Sequence, residues 1–332
     1  MAAVKSTIPD NITEEYYQIS QEILVSFPKY RPPLDFYRFR EQIATLEPYS
    51  RKGQRLSNQQ VEELATLCEN GLLFVSRSDH PVYSTHICKQ LDLVLVDANL
   101  REAEIADIFI QAFHMRLEAF FEQPVQVVFD ALYRDIMVLT EYLSQDMYRI
   151  RALMRRLQTK HSLVTHSVNC GVVGLWLLLT WRKGDLKRRE LDRGAMAAFL
   201  HDMGMCKIPS FIITKTLPLT QEERAKINAH PGAGLKLAEK LGLAYDEMKQ
   251  GISEHHERLD GSGYPRRLSE SEMSNMGKLI AVADSFCAMI TDRPYASAMT
   301  PKDAAKALLD DARRYDQRFS KMLHTAYAAG DL

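Results

Sequence analysis

The sequence predicts a mainly α-helical protein with an all-α C-terminal domain, a smaller N-terminal domain of mixed α and β structure, and a long helix that joins them. Three observations support this fold class. From residue 162 onward apolar residues recur at helical spacing, and the alternation typical of strands is absent. Residues 19–123 mix helical patterns with strand signals, and one continuous apolar stripe follows Pro124. We therefore expect an N-terminal domain at 1–123, a connecting helix at 124–160 and a C-terminal domain at 161–332.

The N-terminal domain has clear start and stop signals. Ser57 and Gln60 form a capping-box pattern before a helix at 61–68, and Gly71 ends that helix. The apolar run at 72–76 predicts a short buried strand. No familiar motif occurs in this half of the chain. We expect a regulatory or sensory domain that binds a ligand or a protein partner.

The connecting helix is predicted from spacing alone. Pro124 suits the first turn of a helix, and apolar residues then recur in steps of three and four from Val125 to Leu157. Such a stripe either packs on the domains of its own chain or pairs with a second subunit, which would give a homodimer through helix 124–157. Both interpretations stay open.

The C-terminal domain is predicted to consist of helices and the loops between them. A capping box at Thr220 to Glu223 starts a helix that ends close to His230. The other predicted helices cover residues 163–182, 188–203, 233–241, 245–255, 273–291, 302–313 and 317–328.

Composition excludes several classes of function. The formal charge is -1, from 42 basic and 43 acidic residues, which argues against binding of a nucleic acid polymer or an acidic membrane. The five cysteines include no CxxC pair, as expected in a reducing cytoplasm. The most apolar run, 171–181, is about half the length that spans a bilayer, so it predicts a buried core helix. The first 20 residues are polar and lack a secretory signal, and we expect a cytoplasmic protein.

The second half of the chain concentrates residues that can bind metal ions. They are His201, Asp202, His230, His255, His256 and Asp284. Asp202 follows His201 near a predicted helix end, and a carboxylate has two oxygens with which to bridge two cations. Asp284 lies in an apolar helix, where a charge needs either a metal or a buried salt bridge as its partner. Imidazole and carboxylate together suit Fe, Mn, Zn, Ni or Co better than Mg or Ca.

These residues occur in the order of a known motif set. Thr165-His166-Ser167 is followed by His201-Asp202, His230-Pro231 and then the complete string HHExxDGxGYP at 255–265. Over residues 160–315 the chain resembles the HD-GYP family of the HD superfamily of metal-dependent phosphohydrolases. The resemblance implies an HD-type helical bundle.

The resemblance also implies two metal ions, with iron or manganese the usual metals. The ligands of the first metal would be His166, His201, Asp202 and Asp284. The ligands of the second would be His230, His255 and His256, with Asp202 bridging. Gly263 and Tyr264 resemble the substrate-side loop, although a tyrosine between glycine and proline is also a common structural residue. Arg293 resembles a phosphate contact.

The function that the resemblance implies is hydrolysis of cyclic di-GMP. A hydroxide held between two cations would attack a 3′-5′ phosphodiester and give pGpG, and in some members GMP. Two other functions remain open. One is a catalytically weak receptor that binds a cyclic dinucleotide and signals through protein contacts. The other is a phosphohydrolase for a hybrid cyclic dinucleotide or a nucleoside monophosphate.

The chain departs from the family pattern at basic positions. Met205 replaces the lysine of the usual HDxGK motif, and Ala296 replaces a second basic residue. Lys207 is a candidate substitute, the alternative being a plain surface lysine. Ser162 replaces a glutamate that supports a third metal in some members, which favours two metals here. We therefore expect intact metal binding and a weakened hold on phosphate, with reduced turnover.

Overall fold

The computed structural model describes residues 10–97, 99–293 and 297–332. Contacts divide the chain into two compact units, Met1–Ala112 and Phe113–Leu332. The mainly helical fold class with a small N-terminal sheet is confirmed. The domain limits that the sequence predicts describe functional units and stay predictions.

The first unit is built on an antiparallel sheet in the strand order β1-β4-β2-β3. Its elements are α1 Asp10–Glu15, β1 Tyr16–Gln18, α2 Gln21–Ser26, β2 Phe36–Arg40, β3 Thr45–Ser50, α3 Asn58–Glu69, β4 Leu73–Ser76 and α4 His80–Ile87, followed by α5 Glu102–Glu122, which ends in the second unit. The helix after Ser57 and the strand near 72–76 are confirmed, and β4 is buried along Leu73, Phe74 and Val75. The hairpin of β2 and β3 was not predicted, because charged residues and Pro48 obscure its alternation.

The second unit is helical throughout its described residues. Its elements are α6 Gln126–Gln145, α7 Ile150–Met154, α8 Leu163–Trp181, α9 Arg188–Leu200, α10 Ser210–Ile213, α11 Gln221–Asn228, α12 His230–Lys240, α13 Asp246–Glu254, α14 Asn275–Met289, α15 Pro301–Asp310 and α16 Gln317–Ala329. The helices predicted for this half are confirmed, with ends that differ by a few residues. The capping box at Thr220 and Glu223 starts α11 as expected.

Helix α8 is the centre of the second unit. Every residue from Thr165 to Leu179 is buried, and the helix packs against α9 and α14. By length and composition α8 could cross a membrane, but 83% of its most apolar window is buried inside the protein. The core helix predicted from the run 171–181 is thus confirmed.

The single helix predicted over 124–160 is wrong. Helix α6 stops at Gln145, a short 3-10 turn follows at Met147–Arg149, and α7 is a separate helix. The cause is Asp146, whose backbone is extended (φ -151°, ψ 106°) and whose carboxylate accepts a hydrogen bond from the N–H of Tyr148. The side chain thus caps a new turn instead of continuing the old helix. Apolar spacing persists through the break, which is why the pattern concealed it.

Candidate metal centre

The predicted metal ligands converge in one buried site of the second unit. His166 lies on α8, His201 and Asp202 directly follow α9, His230 begins α12, His255 and His256 directly follow α13, and Asp284 lies on α14. All are buried except His256, which is partly exposed. Ligand-type residues far apart in sequence thus share one site, as the motif order predicts.

Asp202 lies between two groups of imidazoles. Its Oδ1 is 3.1 Å from His230 Nε2 and 3.4 Å from His255 Nε2. Its Oδ2 is 3.7 Å from His201 Nε2 and 3.8 Å from His166 Nε2. One carboxylate therefore offers one oxygen to each group, which is the arrangement that a bridging ligand requires.

Asp284 makes a second link across the site. Its Oδ1 is 3.0 Å from His166 Nε2, and its Oδ2 is 3.6 Å from His256 Nδ1. Burial alone would raise the pKa of Asp284, but the hydrogen bond with His166 and the nearby His256 outweigh it and hold that pKa far below its usual range. The aspartate in an apolar helix is thus surrounded by histidines rather than by a lysine or arginine.

Backbone carbonyls fix the orientation of three imidazoles. The Nδ1 of His201 is 2.9 Å from Ala198 O, and that of His230 is 2.7 Å from Ile227 O. The Nδ1 of His255 is 2.9 Å from Ile252 O. Because a carbonyl oxygen only accepts, each Nδ1 must carry the proton and donate it. When such a ring is neutral, the lone pair of its Nε2 faces the centre, as in metal-binding histidines.

This arrangement leaves acceptors facing one another. His230 Nε2 and His255 Nε2 are 3.0 Å apart, although neither carries a proton in the neutral ring. His201 Nε2 and Asp202 Oδ1 are buried and have no hydrogen-bond partner in the part of the chain that the structure describes. Buried acceptors without donors are costly. The donor set therefore fits divalent cations, which would satisfy these lone pairs together.

Two more predicted ligands, His256 and Asp202, are in the forms that bind metal. Burial and the proximity of His255 lower the pKa of His256 well below its usual range, so its ring is neutral. Burial would raise the pKa of Asp202, but the proximity of His201 and the contacts with His230 and His255 hold that pKa well below its ordinary value. Neutral imidazoles and ionised carboxylates are the required metal-binding forms.

Gly204 explains how the turn after Asp202 reaches α12. A Cβ at this position would lie 1.9 Å from His230 O and 2.6 Å from the backbone N of Gly234. Only glycine lets the two backbones approach so closely. The contact positions His230 beside Asp202, so any side chain here would separate the two ligand groups.

The GYP loop contacts the site through Tyr264 and is held in place by hydrogen bonds to Glu257. The buried carboxylate of Glu257 accepts hydrogen bonds from the N–H groups of Arg266, Arg267 and Leu268, at 2.6, 3.1 and 3.0 Å. This holds the loop so that the ring of Tyr264 stacks on His256, with centroids 4.6 Å apart. Tyr264 therefore helps to orient the imidazole of His256, a predicted metal ligand.

Gly263 lies at a close approach of two backbone segments. A Cβ there would be 2.4 Å from Glu257 Cα. Among the described residues, neither Gly263 nor Tyr264 lines the cavity beside the metal centre. Their predicted contact with substrate stays a prediction.

A cavity of about 530 Å³ adjoins the metal centre. Its inner end is lined by His166, Asp202, His256 and Asp284. Arg293 and Met205 line it, whereas Lys207 does not, and the predicted phosphate contact of Arg293 stays a prediction. His161 also lines it, and burial and the nearby Arg293 lower the pKa of this imidazole. Ala296 lies outside the described residues.

Three residues near the site were not predicted. Cys170 lies one helical turn after His166, and its Sγ is 3.5 Å from His166 Nε2. The i, i+4 spacing on one helix could have identified it. Lys215 and Arg224 line the cavity from the segment before α11 and from α11 itself. No motif marks either of them.

Comparisons with known proteins show the family to which the second half of the chain is similar. The family model described as HD domain matches residues 149–319, more than half of the chain. The chain is 39% identical over 113 residues to a cyclic di-GMP phosphodiesterase of Thermotoga maritima, covering 34% of this chain and 31% of the relative. It is 36% identical over 115 residues to a 3′3′-cGAMP-specific phosphodiesterase of Vibrio cholerae, covering 35% of this chain and 25% of the relative. The chain thus spans about a third or less of the length of these relatives.

A solved structure shares the fold over nearly the whole chain. It is Bd1817, a HDG"Y"P protein from Bdellovibrio bacteriovorus, with a TM-score of 0.60 and 18% identity. The match covers 95% of this chain and 100% of that one. With the family match and the complete HHExxDGxGYP string, the chain belongs to the HD domain family and, within it, is an HD-GYP member.

Proposed function

We propose that the second unit is a metal-dependent phosphodiesterase that hydrolyses cyclic di-GMP to pGpG, and onward to GMP. The observation that supports this most is the position of Asp202, whose two oxygens join two ligand groups at the end of a cavity of about 530 Å³. The names of bacterial relatives, which include cyclic di-GMP phosphodiesterases, favour this substrate. The free cysteines fit a cytoplasmic location.

We assign two divalent cations to this site. The first would be held by His166, His201, Asp202 and Asp284, and the second by His230, His255 and His256 with Asp202 shared. Iron or manganese fits this mixed donor set, as do zinc, nickel and cobalt. When bound, such a pair of cations lowers the pKa of water and polarises a phosphoryl oxygen.

The protein's own residues contribute position and charge. The carbonyl contacts of His201, His230 and His255 hold the rings in fixed orientations, so the site needs little rearrangement. Arg293 lies on the cavity wall, where its guanidinium suits a non-bridging phosphate oxygen. Burial of the ligands keeps bulk water away and strengthens these interactions.

A direct test is hydrolysis by purified protein reconstituted with Fe²⁺ or with Mn²⁺. We expect cyclic di-GMP to disappear and pGpG to accumulate, followed by GMP, in a chromatographic time course. Metal-free protein is the control and should leave the substrate intact. Intact cyclic di-GMP with both metals would rule out the proposed activity.

The replacement of the motif lysine by Met205 favours a second function, that of a receptor. Such a protein would bind a cyclic dinucleotide, turn it over slowly and signal through residues 1–123 or through a dimer. Calorimetry separates the two functions: tight binding without product formation supports the receptor, and absence of binding removes it.

A further inference from the structure

The cavity beside the metal centre carries positive charge that the HD motif itself lacks. Lys215, Arg224 and Arg293 line it. The acidic lining residues are Asp202 and Asp284, and both belong to the ligand groups. Beyond the ligands, the described cavity wall is therefore cationic or uncharged, as a site for a substrate with several phosphates requires.

Lys215 and Arg224 differ in whether a carboxylate of the protein neutralises their charge. Both carboxylate oxygens of Glu223 contact Lys215 Nζ, at 2.8 and 2.7 Å, which neutralises that ammonium group. Arg224 is exposed, and no carboxylate of a described residue lies within 4.0 Å of its guanidinium. The charge of Arg224, unlike that of Lys215, is thus available to a ligand.

The backbone that carries Arg224 is held firmly. Thr220 Oγ1 accepts a hydrogen bond from the N–H of Glu223 at 3.2 Å, and the carboxylate of Glu223 accepts one from the N–H of Thr220 at 2.7 Å. This capping box and the Lys215 contact tie the start of α11 to the preceding segment. Arg224 follows Glu223 directly, so its position at the cavity is set before any ligand arrives.

A cyclic dinucleotide places two phosphodiesters on opposite sides of one ring. When one phosphate lies at the metal centre, the other must lie elsewhere, with its negative charge intact. Burying that charge without a partner would be costly. An arginine can meet it with two parallel hydrogen bonds.

We propose that Arg224 binds the phosphate that is not being hydrolysed and selects substrates with two phosphodiesters, an inference that rests on the proposed function. The positive charge missing at Met205 is thereby supplied from α11, at the opposite phosphate. Selectivity for cyclic dinucleotides over simple diesters then depends on a residue outside the family motifs.

The test compares Arg224→Ala with Lys226→Ala, a matched loss of one charge on the same helix at a position that does not line the cavity. Binding of a non-hydrolysable phosphorothioate analogue of cyclic di-GMP is measured by calorimetry. Hydrolysis of cyclic di-GMP is compared with that of bis(4-nitrophenyl) phosphate, which has one phosphate. For R224A we expect about tenfold weaker binding and a roughly tenfold fall in the ratio of kcat/KM for cyclic di-GMP to kcat/KM for the simple diester.

The loss should reside in KM rather than in kcat, and Arg224→Lys should restore part of the affinity because it keeps the charge. Equal losses on both substrates, or unchanged binding in R224A, would overturn the inference. Wild-type protein that binds the analogue but leaves cyclic di-GMP intact would end the proposed function, while the binding of R224A would still decide the role of Arg224. Wild-type protein that binds no analogue overturns the inference as well.

Discussion

The two ends of the cavity in the second unit are built in different ways. At the metal end, the seven predicted ligands come from family motifs, and His201 and His255 are fully buried. On the rest of the cavity wall, Met205 occupies the place of a motif lysine, and exposed Arg224 comes from a segment without a motif. The difference indicates which part of the site tolerates change.

The physical basis of this contrast is burial. A buried acceptor such as His201 Nε2 has no hydrogen-bond partner among the described residues, so without the proposed cation its lone pair would stay unsatisfied at a cost in free energy. An exposed guanidinium is solvated with or without its ligand, and its removal costs affinity but not folding. A substitution at the exposed rim should therefore cost affinity alone, whereas the loss of one predicted metal ligand should disturb the whole buried set.

The largest effect is expected from a substitution of Asp202, the proposed bridging ligand at the metal end. Asp202→Asn keeps the shape of the side chain but replaces one oxygen with an N–H₂ group, which cannot bind a cation. We expect loss of bound metal and a fall in kcat of about a thousandfold, on the order of 4 kcal/mol of transition-state stabilisation. Elemental analysis and hydrolysis of cyclic di-GMP measure the two effects.

The matched control for this variant is Asp185→Asn, because the Asp185 side chain is 87% exposed and lies outside the site. It should keep both its metal content and its activity. If D202N retained full metal occupancy and turnover, Asp202 would not be a bridging ligand, and the division into two ligand groups would fail.

The next largest effect is expected when the hydrogen bonds that Glu257 accepts from the chain after the GYP loop are weakened. In Glu257→Gln, one carboxylate oxygen becomes a donor that faces a backbone N–H, such as that of Leu268. We expect the free energy of unfolding to fall by about 3 kcal/mol, since a buried charge-assisted contact is lost and a donor is left unsatisfied. Urea denaturation measures this. Glu270→Gln, an exposed neighbour, should change the stability by less than about 0.5 kcal/mol, and an equally small change in E257Q would contradict the prediction.

The same contrast explains how far the sequence could predict this molecule. Helix limits follow from local spacing, and the clustering of the ligand-type residues follows from the motif order, so both were predictable. The break at Asp146 depends on the backbone of one residue, which apolar spacing does not report. The contacts of Glu257 arise because the chain folds back nine to eleven residues later. Arg224 reaches the cavity only through tertiary packing, and no local pattern records that.

A moderate effect, this time a gain of activity, is expected when the missing positive charge is restored at Met205. Met205 lines the cavity, so Met205→Lys restores an ammonium group where the family motif has one. We expect kcat/KM for cyclic di-GMP to rise about tenfold, equivalent to about 1.4 kcal/mol for one added charge contact to phosphate. Met205→Leu keeps the apolar wall and serves as the control. An unchanged rate in M205K would mean that Arg293 and Arg224 already provide the required charge.

The smallest effect is expected at Lys207, the sequence-based candidate for the missing lysine. Its side chain does not line the cavity, although it is two residues from Met205, because Met203–Lys207 forms a 3-10 turn that directs neighbouring residues to different sides. We expect Lys207→Ala to change kcat/KM for cyclic di-GMP by less than about twofold, within about 0.4 kcal/mol. Steady-state kinetics of K207A and R224A, measured side by side, compare the two effects on kcat/KM. A tenfold loss in K207A would place the phosphate-binding charge next to the HD motif after all, and the two ends of the cavity would then be built from motif residues alike.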